Sequence, residues 1–221
     1  MKAFRVYRAA GRPPIAALAN AREDVARGRA PWVYRGKTHL GHGDVLRAAG
    51  RTFVIAIVRD DDMGPPWEEH DGHGPVSDWT SRDKRPGERE LSSDRGSRRF
   101  YDWEEATRIA KADRWGLAPD VRAALALQLG REPTAKQVVA EAVRRDFERL
   151  SGWANDQWEW CGVCLFELPR DGVTRDPSRI ADQAPFGELE HWALWGIESD
   201  SPEYHAEVAA ELLSDAIATR H

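Results

Sequence analysis

The sequence holds two cysteines and two methionines in 221 residues. Two cysteines cannot build a disulfide framework, which points to a reducing compartment. Long apolar runs are missing too. The longest is Phe53–Val58, six residues, far below the twenty or so that cross a bilayer. Residues 1–14 are basic but have neither a hydrophobic h-region nor a small-residue cleavage pattern, so no secretory signal is expected. The expectation is a cytoplasmic protein with no membrane partner.

No Walker loop, GxGxxG, GxSxG elbow or HExxH occurs, which lowers the prior on ordinary nucleotide-binding and hydrolase scaffolds. Charge of one sign is not dominant either. There are 32 Lys and Arg against 37 Asp and Glu, a formal charge of -5, which excludes a uniformly basic nucleic-acid coat. What the chain does have is tryptophan. Ten indoles imply extensive aromatic burial in a core or at an interface.

Periodicity gives a coarse order of elements. A strand over 2–8 is followed by a helix from Ile15 to Ala26, and Pro31–Arg35 is a short strand. Residues 41–50 read as a short helix closed by glycines, and Arg51–Arg59 is the most β-like run of the first half. Asp102 with Glu105, and Thr134 with Gln137, have capping-box spacing ahead of helices. The second of these helices carries Val138, Val139, Ala142, Val143, Phe147 and Leu150 on one stripe. Pro119 opens a helix that stops at Gly130. Trp158–Leu168 reads as a buried strand, 169–187 as a polar loop, Glu190–Glu198 as a Trp-rich strand, and Ser201-Pro202 as the start of a last helix. The expected fold is α+β: a single domain over 1–221, with a mostly antiparallel sheet covered by helices.

A long polar insertion loop is expected at about 59–99. Only Met63, Trp67, Val76, Trp79 and Leu91 are hydrophobic there, among five Gly and four Pro. Loops of this length are commonly functional or disordered. Its charges are segregated: 60–78 has seven acids and no Lys or Arg, whereas 79–99 has seven Lys or Arg against four acids.

The candidate interaction residues lie in and beside this stretch: Trp67, His70, Asp71, His73, Trp79, Arg95, Arg98, Arg99 and Tyr101. Trp, Tyr and Arg are the residue types that dominate protein–protein hot spots. His70 and His73, beside Glu69 and Asp71 and with Asp60, Asp61 and Asp62 in the same acidic half, are also the candidate ligands of a divalent metal. The bland reading makes them turn residues that tie the loop to the body. Cys161 and Cys164 have CxxC spacing, but three residues along a strand they project from opposite faces, so packed-core thiols are expected.

Three segments carry a resemblance: 65–79 (PPWEEHDGHGPVSDW), 87–102 (GERELSSDRGSRRFYD) and 195–200 (WGIESD). Together they resemble uncharacterised small accessory proteins of tailed bacteriophages and prophages. The resemblance implies a host–virus context, in which proteins of this size act against host systems such as CRISPR or restriction complexes. It carries over no catalytic residue.

The leading expectation is therefore a non-enzymatic protein that binds and inhibits a host protein or protein–nucleic-acid complex, without a cofactor. Two alternatives stand beside it. One is a metal-dependent enzyme on a phosphate-bearing or nucleic-acid substrate, with His70 and His73 holding the metal and Arg95, Arg98 and Arg99 clamping phosphate. The other is a non-catalytic nucleic-acid-binding protein, whose affinity falls steeply with salt.

Overall fold

The computed structural model describes residues 32–33, 40–169 and 176–218. The strand expected over 2–8 and the helix from Ile15 lie outside them. The fold is α+β, built on two antiparallel sheets. The chain divides into two compact units. One combines the described residues up to Asp62 with those from Glu159 onward, and the other is Met63–Trp158. The single sheet expected from the sequence is thus two, because the stretch expected to be a loop builds a sheet of its own.

In the first unit the strands are β1 (Trp32–Val33), β2 (Val45–Ala48), β3 (Arg51–Arg59), β7 (Trp160–Leu168) and β8 (His191–Glu198), ordered β1-β2-β3-β7-β8. Both faces of the centre are apolar. Phe53, Ile55, Cys161, Val163 and Leu165 point to one side and pack with Ala206, Ala209, Ala210 and Leu213 of helix α6 (Pro202–Ala218). Val54, Ala56, Cys164 and Phe166 point to the other and pack with Ile180 and Ala181 of helix α5 (Pro177–Gln183). The period-2 alternation of side chains makes an unbroken apolar run a two-faced strand. Helix α5 falls inside the span expected as polar loop; its signal is Asp176, whose carboxylate accepts from Ser178 N, ahead of Pro177.

The helix expected over 41–50 is instead β2 and a tight turn. Ala49 and Gly50 both have positive φ, 50° and 73°, as a type I′ turn requires, so the segment returns directly into β3. Gly162 of β7 has no side chain because Trp195 of β8 lies over it; a Cβ there would sit 2.7 Å from Trp195 Cδ2.

In the second unit β4 (Val76–Thr80), β5 (Glu88–Asp94) and β6 (Ser97–Asp102) pair in the order β4-β6-β5. Helices α1 (Pro66–Glu69), α2 (Trp103–Ala112), α3 (Pro119–Leu129) and α4 (Ala135–Ala154) complete it. The long loop expected at 59–99 is therefore corrected to the end of β3, a helical turn and three strands. The hydropathy pattern hid the strands because they bury few aliphatic groups; polar pairs and cation–aromatic stacking hold them instead. Arg95 (φ 44°) and Gly96 (φ 89°) make a second positive-φ pair, joining β5 to β6.

Both caps read from the sequence form. The Asp102 carboxylate accepts from Glu105 N at 2.9 Å, and Thr134 with Gln137 makes a reciprocal capping box. The core of this unit joins Leu91 and Tyr101 to Ala106, Ala110, Val143 and Leu150, with Trp67, Trp103 and Phe147 packed against it. Among the described residues, no helix is long and apolar enough to cross a membrane.

Candidate functional site

Every candidate interaction residue falls in the second unit, and the structure sorts them into two assembled groups and a remainder. The first group is built around Arg99. Strand β6 places its side chain on the face that α4 covers, 13% exposed, where it ion-pairs with Asp78 of β4. Its guanidinium lies 4.3 Å from the ring centroid of Trp79, 5.4 Å from that of Trp67 and 5.6 Å from that of Trp153. Trp67 and Trp153 meet edge to face, 5.3 Å apart at 85°. A cation among three indoles and a carboxylate is held by both stacking and charge, and partial desolvation strengthens each contact. Trp79 closes this cage from outside and is itself 45% exposed.

The second group is built around Asp146 of α4. Its carboxylate accepts from Gly74 N at 2.8 Å and from Tyr101 Oη at 2.7 Å, and its other oxygen lies 2.5 Å from His73 Nδ1. Asp146 is 8% exposed on its side chain. Burial and the neighbouring carboxylate push the Tyr101 phenol well above its ordinary range, so it stays a hydrogen-bond donor. Gly74 runs against Tyr101 so closely that a Cβ would lie 2.5 Å from Tyr101 Cζ and 2.6 Å from Ala106 Cβ. One carboxylate thus fixes the segment after α1, strand β6 and helix α4 together.

His70 and Asp71 join neither group. His70 is exposed at the C-cap of α1, where its N–H donates to Pro66 O at 3.0 Å. Arg95 is exposed at the β5–β6 turn, and Arg98 lies 3.7 Å from Glu90 across the strand pair. Arg98 and Arg99 are consecutive in a strand and project to opposite faces. The phosphate clamp expected from Arg95, Arg98 and Arg99 is therefore not assembled, and Arg99 is committed to Asp78. The metal reading of His70 and His73 likewise finds no ligand set. His73 spends Nδ1 on Asp146, and among the described residues no group of three or more His, Cys, Asp or Glu is placed to hold a metal ion.

Charge segregation along 60–99 resolves in part into pairs between neighbouring strands and turns. Arg82 grips Glu88 through both guanidinium nitrogens, at 2.7 and 2.5 Å, while Arg85 N donates to the same carboxylate at 2.7 Å. These bonds hold the Glu88 carboxyl below its usual range. Arg82 also lies 4.9 Å from the centroid of Phe100.

Cys161 and Cys164 lie in β7 and belong to clusters on opposite faces, as strand alternation requires. Burial pushes their thiols up to about 11 and about 12. They are protonated core residues at neutral pH. Sequence reasoning passed over Asp146 and Trp153. The signal for Asp146 was an acid placed between Val143, Phe147 and Leu150 on the buried stripe of α4, where charge needs a partner.

No family model, curated protein or solved structure matches this chain.

Proposed function

We propose that this chain is a non-enzymatic docking protein of the phage-accessory kind, one that binds and inhibits a host macromolecular complex in the bacterial cytosol. The observation that carries the reading is Trp79: a half-exposed indole held by Arg99, whose guanidinium is itself fixed by Asp78, Trp67 and Trp153. Tryptophan is among the residue types enriched at binding hot spots. An anchor already immobilised in the free protein loses little side-chain entropy on docking, so more of its burial appears as affinity. The likeness of 65–79, 87–102 and 195–200 to accessory proteins of tailed phages supports a host defence complex, CRISPR or restriction, as the target.

The test expresses the chain in bacteria that carry an active CRISPR or restriction system and measures plating of a targeted phage. The wild-type chain restores plating. Trp79→Ala removes most of that effect while the protein stays folded, and Leu127→Ala, at a position 86% exposed in α3, does not. Full inhibition by the Trp79→Ala protein would remove the support for this surface, and no inhibition by the wild-type chain would remove the reading.

A further inference from the structure

The segment that carries Trp79 has a charge as well as an anchor. Residues 64–79 contain Glu68, Glu69, Asp71 and Asp78 but no Lys or Arg, and all four acids are exposed. Glu69 accepts from Gly64 N at 2.9 Å, and Asp78 ion-pairs with Arg99. The side chains of Glu68 and Asp71 have no hydrogen-bond or ion-pair partner among the described residues.

Arg99 is the cation that reaches this segment from β6, and it is already committed. Its guanidinium lies over one face of Trp79, 4.3 Å from the ring centroid, and 5.4 Å from the centroid of Trp67. Helix α1 carries Glu68 and Glu69 directly after Trp67. Thus α1 and β4 meet at one cation, and their acids flank the indole. One arginine against four carboxylates leaves negative charge in excess there.

That excess selects the partner. Burying Trp79 also takes Asp78, 45% exposed on its side chain, out of water. An acidic partner would bring like charges into a low-dielectric contact. A basic one supplies counter-charges, and its guanidinium or ammonium has the outer face of Trp79 to stack on, since Arg99 takes the inner one.

We infer that the Trp79 surface accepts a basic protein surface, an Arg- or Lys-bearing segment whose cation stacks on Trp79 and whose neighbours pair with Glu68 and Asp71. This rests on the docking reading above and adds the chemistry of the partner. Basic patches are also where proteins hold nucleic-acid phosphates, so the chain and nucleic acid compete for one surface of the target. The unpaired acids act on association rate and salt dependence, and Trp79 acts on the lifetime of the complex.

The test uses the full chain labelled with fluorotryptophan, the Trp79 fluorine signal being identified by its absence from Trp79→Phe. The probes are a short Arg-Gly repeat peptide, its Glu-Gly counterpart and a single-stranded DNA oligonucleotide. The Arg-Gly peptide is expected to shift the Trp79 signal, with an affinity that falls roughly tenfold between low and physiological salt. The other two probes leave the signal in place. Glu68→Lys and Asp71→Lys each weaken the response roughly fivefold, whereas Glu203→Lys, at an exposed acid of α6, does not. Circular dichroism confirms that the variants are folded.

No response to the Arg-Gly peptide overturns the inference, as do an equal response to both peptides and a response to the oligonucleotide alone. Charge-reversed variants that respond like the wild type overturn it too. The plating assay separates this from the docking reading. If plating depends on Trp79 but is untouched by Glu68→Lys combined with Asp71→Lys, the docking reading stands and the basic partner falls. If the wild-type chain never restores plating while the Arg-Gly response holds, the docking reading falls and the site for a basic segment stands.

Discussion

The two sheets solve the same problem with different chemistry. The five-stranded sheet buries aliphatic and aromatic side chains on both faces, Phe53 and Ile55 to one side and Val54, Ala56 and Phe166 to the other. The three-stranded sheet buries Tyr101, Leu91 and Phe100 but is organised by polar anchors: Asp146 with three donors, Arg99 in its ring of indoles, and Glu88 under Arg82. The first sheet depends on volume and the second on satisfied partners. Non-directional burial tolerates small shifts, whereas a buried carboxylate tolerates none of its donors going astray.

This contrast is open to direct perturbation, read by hydrogen exchange at the amides of each sheet. The largest effect is expected from Phe166→Ala, which removes a fully buried ring from the first sheet and costs about 4 kcal/mol, seen as lost protection in β3, β7 and β8. Gly74→Ala is expected to cost the second unit about 3 kcal/mol, because the added Cβ collides with Tyr101 and Ala106, which are both fully buried. Protection in β5 and β6 reports it. Asp146→Ala is expected to cost about 2 kcal/mol there by leaving Tyr101 Oη and Gly74 N without their acceptor. Retained protection in β6 after Asp146→Ala would break the comparison.

The smallest expected effect is a divergence with pH. Glu88 titrates below its unfolded value of about 4.3, so its contribution is present above that pH and is lost as pH falls through the lower folded value. Acid therefore loosens the three-stranded sheet through this group. Cys161 and Cys164 titrate above their unfolded value of about 8.5, so their contribution is full below that pH and is lost as pH rises toward about 11 and about 12. Tyr101 departs from an unfolded value of about 10 in the same direction. Between roughly pH 8.5 and 10 the five-stranded sheet is thus expected to lose protection first. Over the same range both thiols are expected to react with a disulfide reagent only as the native protein opens.

How much of this was legible follows the same divide. Arg51–Arg59 and the 160–168 strand announce themselves as apolar runs, and the Thr134 box marks its helix start to the residue. Strands β4, β5 and β6 do not, because Arg82, Glu88 and Arg99 look like solvent-facing charge until a partner from elsewhere in the sequence is supplied. The two tight turns were hidden for another reason. Ala49-Gly50 and Arg95-Gly96 place a residue with a Cβ at the first positive-φ position, where Asn or Asp is the recognisable choice. Of the candidate site, Trp67, Trp79 and Arg99 were each identified, but their convergence on one another, and the role of Trp153, required β6 and α4 to be in place. His73 was identified as a candidate metal ligand, whereas its Nδ1 meets the carboxylate of a helix residue 73 positions away, a partner the local sequence does not announce.

The pairing of β3 with β7 has a consequence for synthesis. Arg59 lies opposite Cys161, and the whole of Met63–Trp158 intervenes. During translation the β2–β3 hairpin can close at once, but the other edge of β3 has no native partner until the intervening unit has been made. At ordinary elongation rates this interval is roughly 5–20 s. Throughout it, a strand with an unbroken apolar centre presents Val54, Ile55 and Ala56 without their β7 neighbours. The ribosome-bound chain thus passes through a stage at which a segment easily read from the sequence is also an adhesive one.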